Sequence, residues 1–309
     1  MRQTVERLRR WLRTIGIVRR SYRKYVERRL HLFLPRRFTE KMQWRKLFDL
    51  DPIYTVLCDK VAMRDYVAER VGPNAVVPIL WLGHDPLALP LETLQPPYII
   101  KCSHGSGFNI TVRSKDNLDY AAIRAQFAGW LSTDYSDLAK EPGYAGVRRR
   151  LLIEPLLTNN GGFPTEYMFF MFSGIARVVM VKANFGDQKH ERTQSYYDLE
   201  WRRLPIRTLE VQCAATAVPR PRELETMRIM AERLAENRDH IRVDFIVSDG
   251  RVHVGELSSY HKSGLFRFEL DEHDFALGQW WELRRPFLRA CWTIITHDWN
   301  IAINRSLRR

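Results

Sequence analysis

The first quarter of the chain follows a helical pattern of apolar positions. Between residues 2 and 33 the apolar side chains recur at spacings of mostly three and four, which places them on one face of a helix. The opposite face is rich in arginine, and Gly16 is expected to interrupt the helix. Further helices are predicted from Thr39 up to Asp51-Pro52 and through Leu57 and Tyr66 to a stop at Val71-Gly72-Pro73.

Beyond residue 75 the pattern changes to short apolar runs bounded by Gly, Pro and Asp, which are typical of buried strands. Two runs on either side of Ser248-Asp249-Gly250 predict a hairpin. Strands are predicted at residues 76–82, 98–102, 110–112, 151–157, 167–172, 175–181, 241–247 and 252–257, and helices at 118–131 and 221–238. Because helices interleave with antiparallel hairpins, the predicted class is α+β, or mixed α/β.

Composition narrows the class of protein. The 309 residues are 45% apolar and 28% charged, which excludes a disordered or low-complexity chain and allows a large core. No apolar run approaches the roughly 18 residues of a membrane span, and the arginine-dense start lacks the apolar segment of a signal peptide, so we expect a cytoplasmic protein. Four widely spaced cysteines without a CxxC pair argue against a zinc site and a disulfide framework.

The net charge of +13 is concentrated at one end. Residues 1–46 hold 13 Arg and 3 Lys against 3 Glu, so the rest of the chain is formally neutral. This distribution argues against nucleic acid as a partner of the body. An anionic membrane surface is a candidate partner for the amphipathic arm, residues 1–37, while packing of its apolar face on the body is the alternative.

A glycine-rich turn follows the predicted strand that ends near Lys101. Its residues His104, Gly105, Ser106 and Gly107 allow backbone N–H groups to approach an anion, and the lysine adds a charge toward the same group. The alternative is an ordinary hairpin loop, since no Walker A sequence is present. Lys60 is a weaker candidate, because a solvated helix lysine explains it as well.

The C-terminal hairpin carries a second candidate site. Arg242 and Asp244 share one strand face, while Glu256 and Ser258 lie on the paired strand. Two carboxylates on paired strands suit Mg²⁺, which takes a few carboxylate oxygens plus nucleotide phosphates. An arginine beside them can neutralise charge on a transferring phosphoryl group. The alternative is a cross-strand ion pair on a wet sheet face.

The run from Glu154 to Leu157, followed at some distance by Glu166, ends a predicted strand. An apolar strand end with open backbone could bind a purine at its edge, although a plain core strand explains the same residues.

The order of these segments resembles the ATP-grasp superfamily and, more narrowly, its TupA-like (teichuronopeptide biosynthesis) branch, over roughly residues 38–285. The resemblance rests on Trp44-Arg45-Lys46, Cys58-Asp59-Lys60, the turn from Lys101 to Gly107, Tyr197 to Trp201, Arg242-Val243-Asp244, and Gly255-Glu256-Leu257-Ser258 to Ser263-Gly264. The stretch Ser259-Tyr260-His261-Lys262 departs from the more apolar one expected in this branch, at the acceptor pocket.

The resemblance implies an ATP-grasp architecture with the nucleotide held between two α+β lobes. Lys60 and Lys101 would face the phosphates, residues 104–107 would form the lid, and residues 154–157 would meet adenine. Glu166 would meet the ribose, and Arg242 the acyl phosphate. Asp244 and Glu256 would hold Mg²⁺, where Ser258 replaces the third ligand, often Asn, of the wider superfamily. The implied organisation is an arm at 1–37, a catalytic region at 38–285 and a helical tail at 286–309.

The expected activity is that of an ADP-forming ligase that uses ATP and Mg²⁺ to join a carboxylate to an amine in cell-envelope or capsular polysaccharide synthesis. One substrate could be a lipid-linked or polymeric glycan, with the arm at the inner face of the membrane. Two alternatives are a glycosyltransferase-type enzyme of the same pathway and a non-catalytic scaffold that recruits partners through the basic arm.

Overall fold

The computed structural model describes residues 2–159, 162–183 and 192–283 and, within the first helix, the side chains of Arg9 and of residues 11–25. The predicted tail at 286–309 lies outside these residues. The helices are α1 (Arg2–Tyr25), α2 (Phe38–Phe48), α3 (Ile53–Cys58), α4 (Ala62–Val71), α5 (Tyr120–Ser132), α6 (Tyr135–Ala139), α7 (Leu224–Leu234) and α8 (Asp271–Trp280). No described helix is both long and apolar enough to cross a bilayer.

Within the described ranges ten strands form two antiparallel sheets, which confirms the predicted α+β class. They are β1 (Trp81–Gly83), β2 (Tyr98–Cys102), β3 (Asn109–Val112), β4 (Leu151–Pro155), β5 (Glu166–Phe172), β6 (Ile175–Ala183), β7 (Thr193–Tyr197), β8 (Arg203–Leu204), β9 (His240–Ser248) and β10 (Arg251–Ser258). The small sheet has the order β1-β4-β2-β3 and the large sheet β10-β9-β5-β6-β7-β8.

The two faces of the large sheet differ because side chains alternate along each strand. One face carries Val243, Phe245, Phe169 and Val179, which pack on α4 and α7 in the largest apolar cluster. The other face is apolar at one end, around Phe170, and charged at the opposite end. The charged end of this second face borders the cleft described below.

Two predicted helices differ from the structure for local reasons. Gly16 stays inside α1 and does not interrupt it, since one glycine costs a helix only about 1 kcal/mol. The helix predicted through Leu57 and Tyr66 is divided into α3 and α4 by a turn at Asp59, whose carboxylate accepts a hydrogen bond from the Val61 N–H at 2.9 Å. This turn brings Lys60 to the cleft.

The N-terminal arm packs on the body. Val18, Tyr22 and Val26 are buried against Trp44 and Phe48 of α2. Leu12 stays exposed, as do the described arginines of the opposite face, namely Arg9, Arg13, Arg19, Arg20 and Arg23. The apolar face was expected either to pack on the body or to contact a membrane. The described part of this face mostly packs on the body.

A buried ion pair ties α2 to the large sheet. Arg45 is fully buried and donates to Asp239 Oδ1 at 2.6 Å and to the carbonyl oxygens of His240 and Ser259 at 2.8 and 3.1 Å. Asp239 also accepts from Trp281 Nε1 at 2.9 Å. The guanidinium lies over the Trp281 ring, 4.4 Å from its centroid.

We expect Asp239→Ala to lower the free energy of unfolding by about 3–5 kcal/mol, because it leaves the buried Arg45 charge without a counterion. Urea denaturation at neutral pH measures the change. The control is Glu92→Ala, which removes an exposed pair with Arg124 and should leave the midpoint nearly unchanged. Equal small losses in both variants would contradict the anchoring role of Arg45.

Candidate active site

A cleft of about 830 Å³ lies between the two sheets. It contains twelve of the thirteen site residues predicted from the sequence: Lys60, Lys101, Gly105, Ser106, Gly107, Glu154, Leu157, Glu166, Arg242, Asp244, Glu256 and Ser258. The residues from Lys60 to Glu154 lie on the small sheet and the turns beside it. Those from Glu166 to Ser258 lie on the large sheet. Segments that are far apart in sequence therefore meet in one place.

His104 is the one predicted site residue that is not among the described residues lining the cleft. Its ring is buried, Nε2 lies 3.1 Å from the carbonyl oxygen of Trp130, and Phe108 packs edge-on against it. Burial lowers the pKa of His104. The histidine therefore holds the glycine-rich turn against α5 and leaves the glycines on the cleft side.

The glycine-rich turn is shaped by its close neighbours. Gly105 has φ of +80°, and a Cβ atom there would lie 2.9 Å from ring carbons of Phe108 and Tyr135. Lys60 Nζ donates to the Gly105 carbonyl oxygen at 2.6 Å. Burial lowers the pKa of Lys60. The predicted lysine and the predicted turn are therefore in direct contact.

Glu154 is held by two cations. Lys101 Nζ lies 2.5 Å from Oε2, and Arg64 Nη1 lies 2.7 Å from Oε1. Lys101 and Glu154 can meet because β2 and β4 are adjacent strands. Arg64 was missed by sequence reasoning, although its four-residue spacing from Lys60 could have suggested it. Because one carboxylate lies between two basic side chains, this side of the cleft carries an excess of positive charge.

The second half of the site lies on the hairpin of β9 and β10. A bulge between Val254 and Glu256 sets Glu256 directly opposite Asp244, and Ser258 opposite Arg242. Arg242 donates from Nε and Nη2 to the two oxygens of Asp244, both at 2.6 Å, and its Nη2 lies 3.9 Å from Glu256 Oε2. Arg242, Asp244 and Ser258 are buried, whereas the Glu256 side chain is 45% exposed at the cleft.

Burial shifts the pKa values of Asp244 and His261 in opposite directions. It raises the pKa of Asp244, and the guanidinium of Arg242 opposes the rise. Arg242 Nη1 donates to His261 Nδ1. Burial lowers the pKa of His261 well below its ordinary value, which keeps the imidazole neutral and able to accept this bond.

Glu166 faces Lys182 on the adjacent strand β6, with Nζ and Oε2 3.8 Å apart. Burial lowers the pKa of Lys182, and so does the nearby charge of Arg242. Lys182 was missed, since the strand predicted at 175–181 stopped one residue before it. Alternation along that strand places position 182 on the same face as Met180 and would have found it.

The cleft has a basic excess. Its described lining contains five acidic side chains, namely Glu141, Glu154, Glu166, Asp244 and Glu256. The eight basic side chains are Lys60, Arg64, Lys101, Arg113, Lys182, Arg192, Arg242 and Lys262. An anionic ligand is therefore favoured. Within the described ranges no cluster of three or more His, Cys, Asp or Glu side chains is arranged to hold a metal ion.

Comparisons with solved structures give distant matches. D-alanine–D-alanine ligase from Bacillus anthracis, complexed with ATP, is 13% identical with a TM-score of 0.38, over 66% of this chain and 55% of that one. The ATP-grasp ligase PsnB with a minimal precursor is 12% identical with a TM-score of 0.40, over 68% and 55%. Phosphoribosylamine–glycine ligase from Thermotoga maritima is 12% identical with a TM-score of 0.43, over 72% and 51%.

This chain spans about half the length of those structures. No curated protein matches it. The family comparison is more extensive, because residues 40–282 match the TupA-like ATP-grasp family over most of the chain. The chain belongs to the TupA-like ATP-grasp family.

Proposed function

We propose that this protein is an ADP-forming ligase that couples ATP hydrolysis to the joining of a carboxylate and an amine. The observation that carries the proposal is the pair Asp244 and Glu256, set opposite each other in a basic cleft that faces the glycine-rich turn. The family membership supports the same activity. No feature of the described residues favours the glycosyltransferase or the scaffold alternative over it.

The nucleotide would lie across the cleft between the two sheets. Lys60, Lys101 and the backbone of residues 105–107 would meet the phosphates. The strand end at residues 154–157 would meet adenine, and Glu166 the ribose. In this arrangement His104 acts through the turn that it supports, without touching ATP.

The carboxylates of Asp244 and Glu256 fit Mg²⁺. Mg²⁺ commonly uses one or two protein carboxylates together with phosphate oxygens and water, so a cluster of three acidic side chains is not needed. Ser258, on the same strand face as Glu256, would lie beside them. Bound there, Mg²⁺ would neutralise charge on the phosphate oxygens during transfer.

Side chains of this protein would assist the phosphoryl transfer and the attack by the amine. The substrate carboxylate attacks the γ-phosphorus of ATP, the bond to ADP breaks, and an acyl phosphate forms. Arg242 would stabilise its negative charge, because its guanidinium is held in place by Asp244 and His261. The amine then attacks the acyl carbon, and phosphate leaves.

The place of this reaction would be cell-envelope or capsular polysaccharide synthesis in the cytoplasm. The support for a membrane-proximal role is the exposed arginine face of α1, since the apolar face is mostly used by packing. Attraction to an anionic surface would then be electrostatic, at about 1 kcal/mol for each nearby base. This attraction would bring the cleft close to a lipid-linked or polymeric glycan.

We expect Asp244→Asn and Glu256→Gln to remove the Mg²⁺-dependent part of the stabilisation by β,γ-imido-ATP, because each deletes a carboxylate ligand. A ligand at 100 times its Kd adds about 2.7 kcal/mol of stability, which thermal unfolding resolves easily. The exposed Glu225→Gln on α7 serves as the control and should behave as wild type. If both site variants keep the full Mg²⁺ effect, the metal assignment is wrong.

The nucleotide product should be ADP with phosphate, because an acyl phosphate couples the uphill condensation to ATP. The measurement is chromatography of the nucleotides after incubation with MgATP, hydroxylamine as the amine and a panel of sugar acids and amino acids as carboxylates. Hydroxamate should form in step with ADP. Stoichiometric AMP and pyrophosphate would instead indicate an adenylating enzyme.

The arm should bind anionic vesicles in a salt-dependent way, because exposed charges are screened over a Debye length of about 10 Å at 0.1 M salt. Changing Arg13, Arg19, Arg20 and Arg23 to Gln should abolish co-sedimentation with these vesicles at low salt. The matched control changes four exposed arginines elsewhere: Arg220, Arg222, Arg233 and Arg251. Equal pelleting of both variants would rule out the membrane role.

A further inference from the structure

The loop that joins α1 to α2 has an unusual pattern of charged and apolar residues. The sequence of residues 28–37 is RRLHLFLPRR, so a pair of arginines lies on each side of a mostly apolar run. The segment contains no acidic residue. It lies outside both the proposed nucleotide site and the arginine face of α1.

The apolar side chains of this α1–α2 loop fall into two groups. Leu30 and Leu32 are buried in the cluster that contains Trp44 of α2. Phe33 and Leu34, next along the chain, are 73% and 72% exposed. Single exposed hydrophobic residues are common on protein surfaces and need no explanation. Two consecutive ones beside buried leucines form an apolar tip on the loop.

One buried carboxylate holds the loop on both sides of the tip. His31 Nδ1 lies 2.8 Å from Glu40 Oε1. Beyond the tip, the backbone N–H groups of Arg36 and Arg37 donate to Oε2 of the same carboxylate at 2.9 and 3.1 Å. The tip is therefore presented by a loop with both ends fixed, so binding a partner requires little further ordering of the chain.

Two of the four arginines in the loop are already used within the protein. Arg28 Nε and Arg37 Nη2 both pair with Asp271, at 3.1 and 2.8 Å. Arg29 and Arg36 are exposed and form no ion pair with the described residues. One exposed cation therefore lies on each side of the apolar tip. This pattern matches a surface that has negative charges above an apolar layer.

We propose that the α1–α2 loop inserts its apolar tip into the surface of an anionic lipid bilayer, with Arg29 and Arg36 at the lipid phosphates. A bilayer offers both chemistries in one surface, because acyl chains lie directly beneath the charged head groups. Phe33 and Leu34 leave water for the boundary between the two layers. A soluble polyanion would meet the arginines but would leave the tip in water.

This inference rests on the proposed membrane-proximal role and deepens it. There the attraction comes from the arginine face of α1 and is electrostatic, so salt screens it. The tip adds an apolar contact, whose strength follows the area removed from water. The loop therefore retains at the surface a protein that the arginines of α1 have brought there.

The test is co-sedimentation of the full chain with vesicles of phosphatidylglycerol and phosphatidylcholine, at about 0.05 M and about 0.2 M salt. The double variant Phe33→Ser, Leu34→Ser should bind about tenfold more weakly than wild type at both salt concentrations. An equal factor at the two concentrations identifies an apolar contact, since the attraction between charges weakens as salt is added.

Two further variants separate the tip from its surroundings. The control is Leu87→Ser with Leu209→Ser, which replaces two exposed leucines elsewhere and should bind as wild type does. Arg29→Gln with Arg36→Gln should weaken binding mainly at the lower salt concentration, because it removes charge and leaves the tip intact. Thermal unfolding without vesicles verifies that each variant is folded.

A fluorescence measurement locates the tip directly. Phe33→Trp places an indole at the tip, where brominated acyl chains quench its emission on contact. We expect this variant to lose a larger share of its emission than wild type when brominated vesicles are added. Leu87→Trp, outside the loop, should lose no larger share than wild type. This measurement keeps the proposal testable if the double serine variant fails to fold.

The possible failures are distinguishable. If the double serine variant pellets as wild type does, or if Phe33→Trp shows no added quenching, the inference is overturned. The electrostatic role of α1 then stands as long as wild type pellets at low salt. If wild type does not pellet at all, both proposals fail.

A second copy of the chain is the other occupant that the experiment tests. Analytical ultracentrifugation without vesicles compares wild type with the double serine variant. A loss of self-association in the variant, with unchanged vesicle binding, would assign the tip to an interface between copies and overturn the inference. Formation of ADP from soluble substrates should be the same in both proteins, so the ligase proposal is tested separately.

Discussion

The arrangement of the cleft depends on one buried guanidinium. Arg45 reaches from α2 to the carbonyl oxygens of His240 and Ser259, which begin β9 and follow the end of β10. These two strands carry Asp244 and Glu256, so a contact from α2 anchors the open end of the hairpin, opposite its turn. The same helix holds the turn at 262–264 through Gln43 and Lys46. One helix therefore positions both the candidate metal site and the turn at 262–264.

Part of the charge in the cleft is paired within the protein, although a basic excess remains. Glu154 is compensated by Lys101 and Arg64, and Asp244 by Arg242. A phosphate group or metal ion entering such a site exchanges partners with these pairs, so it does not meet isolated buried charges. The free-energy cost of removing these protein groups from water therefore arises when the protein folds and not when a ligand binds. This arrangement explains how a cleft with thirteen ionisable acidic and basic side chains can be part of a stable fold.

Sequence reasoning was most successful where the signal was local. The hairpin and its face of Arg242, Asp244 and Glu256 were predicted because alternation and a turn signal lie within one short segment. The direction of the His104 side chain was not predicted, because it depends on a contact with Trp130 of α5, which is 26 positions further along the chain. The contact between Lys46 and Ser263 could not be predicted from spacing, because the two residues are 217 positions apart.

Helix α1 helps to line a second cavity of about 410 Å³, although it lies outside the region matched by the family. The region shared with the family begins at residue 40, whereas Ile17, Val18, Ser21 and Tyr25 line the second cavity from outside that region. Substitutions on this side of α1 alter the shape of the cavity without touching the residues that would transfer phosphate. In evolutionary terms, the walls of this cavity can vary while the residues that line the cleft stay the same.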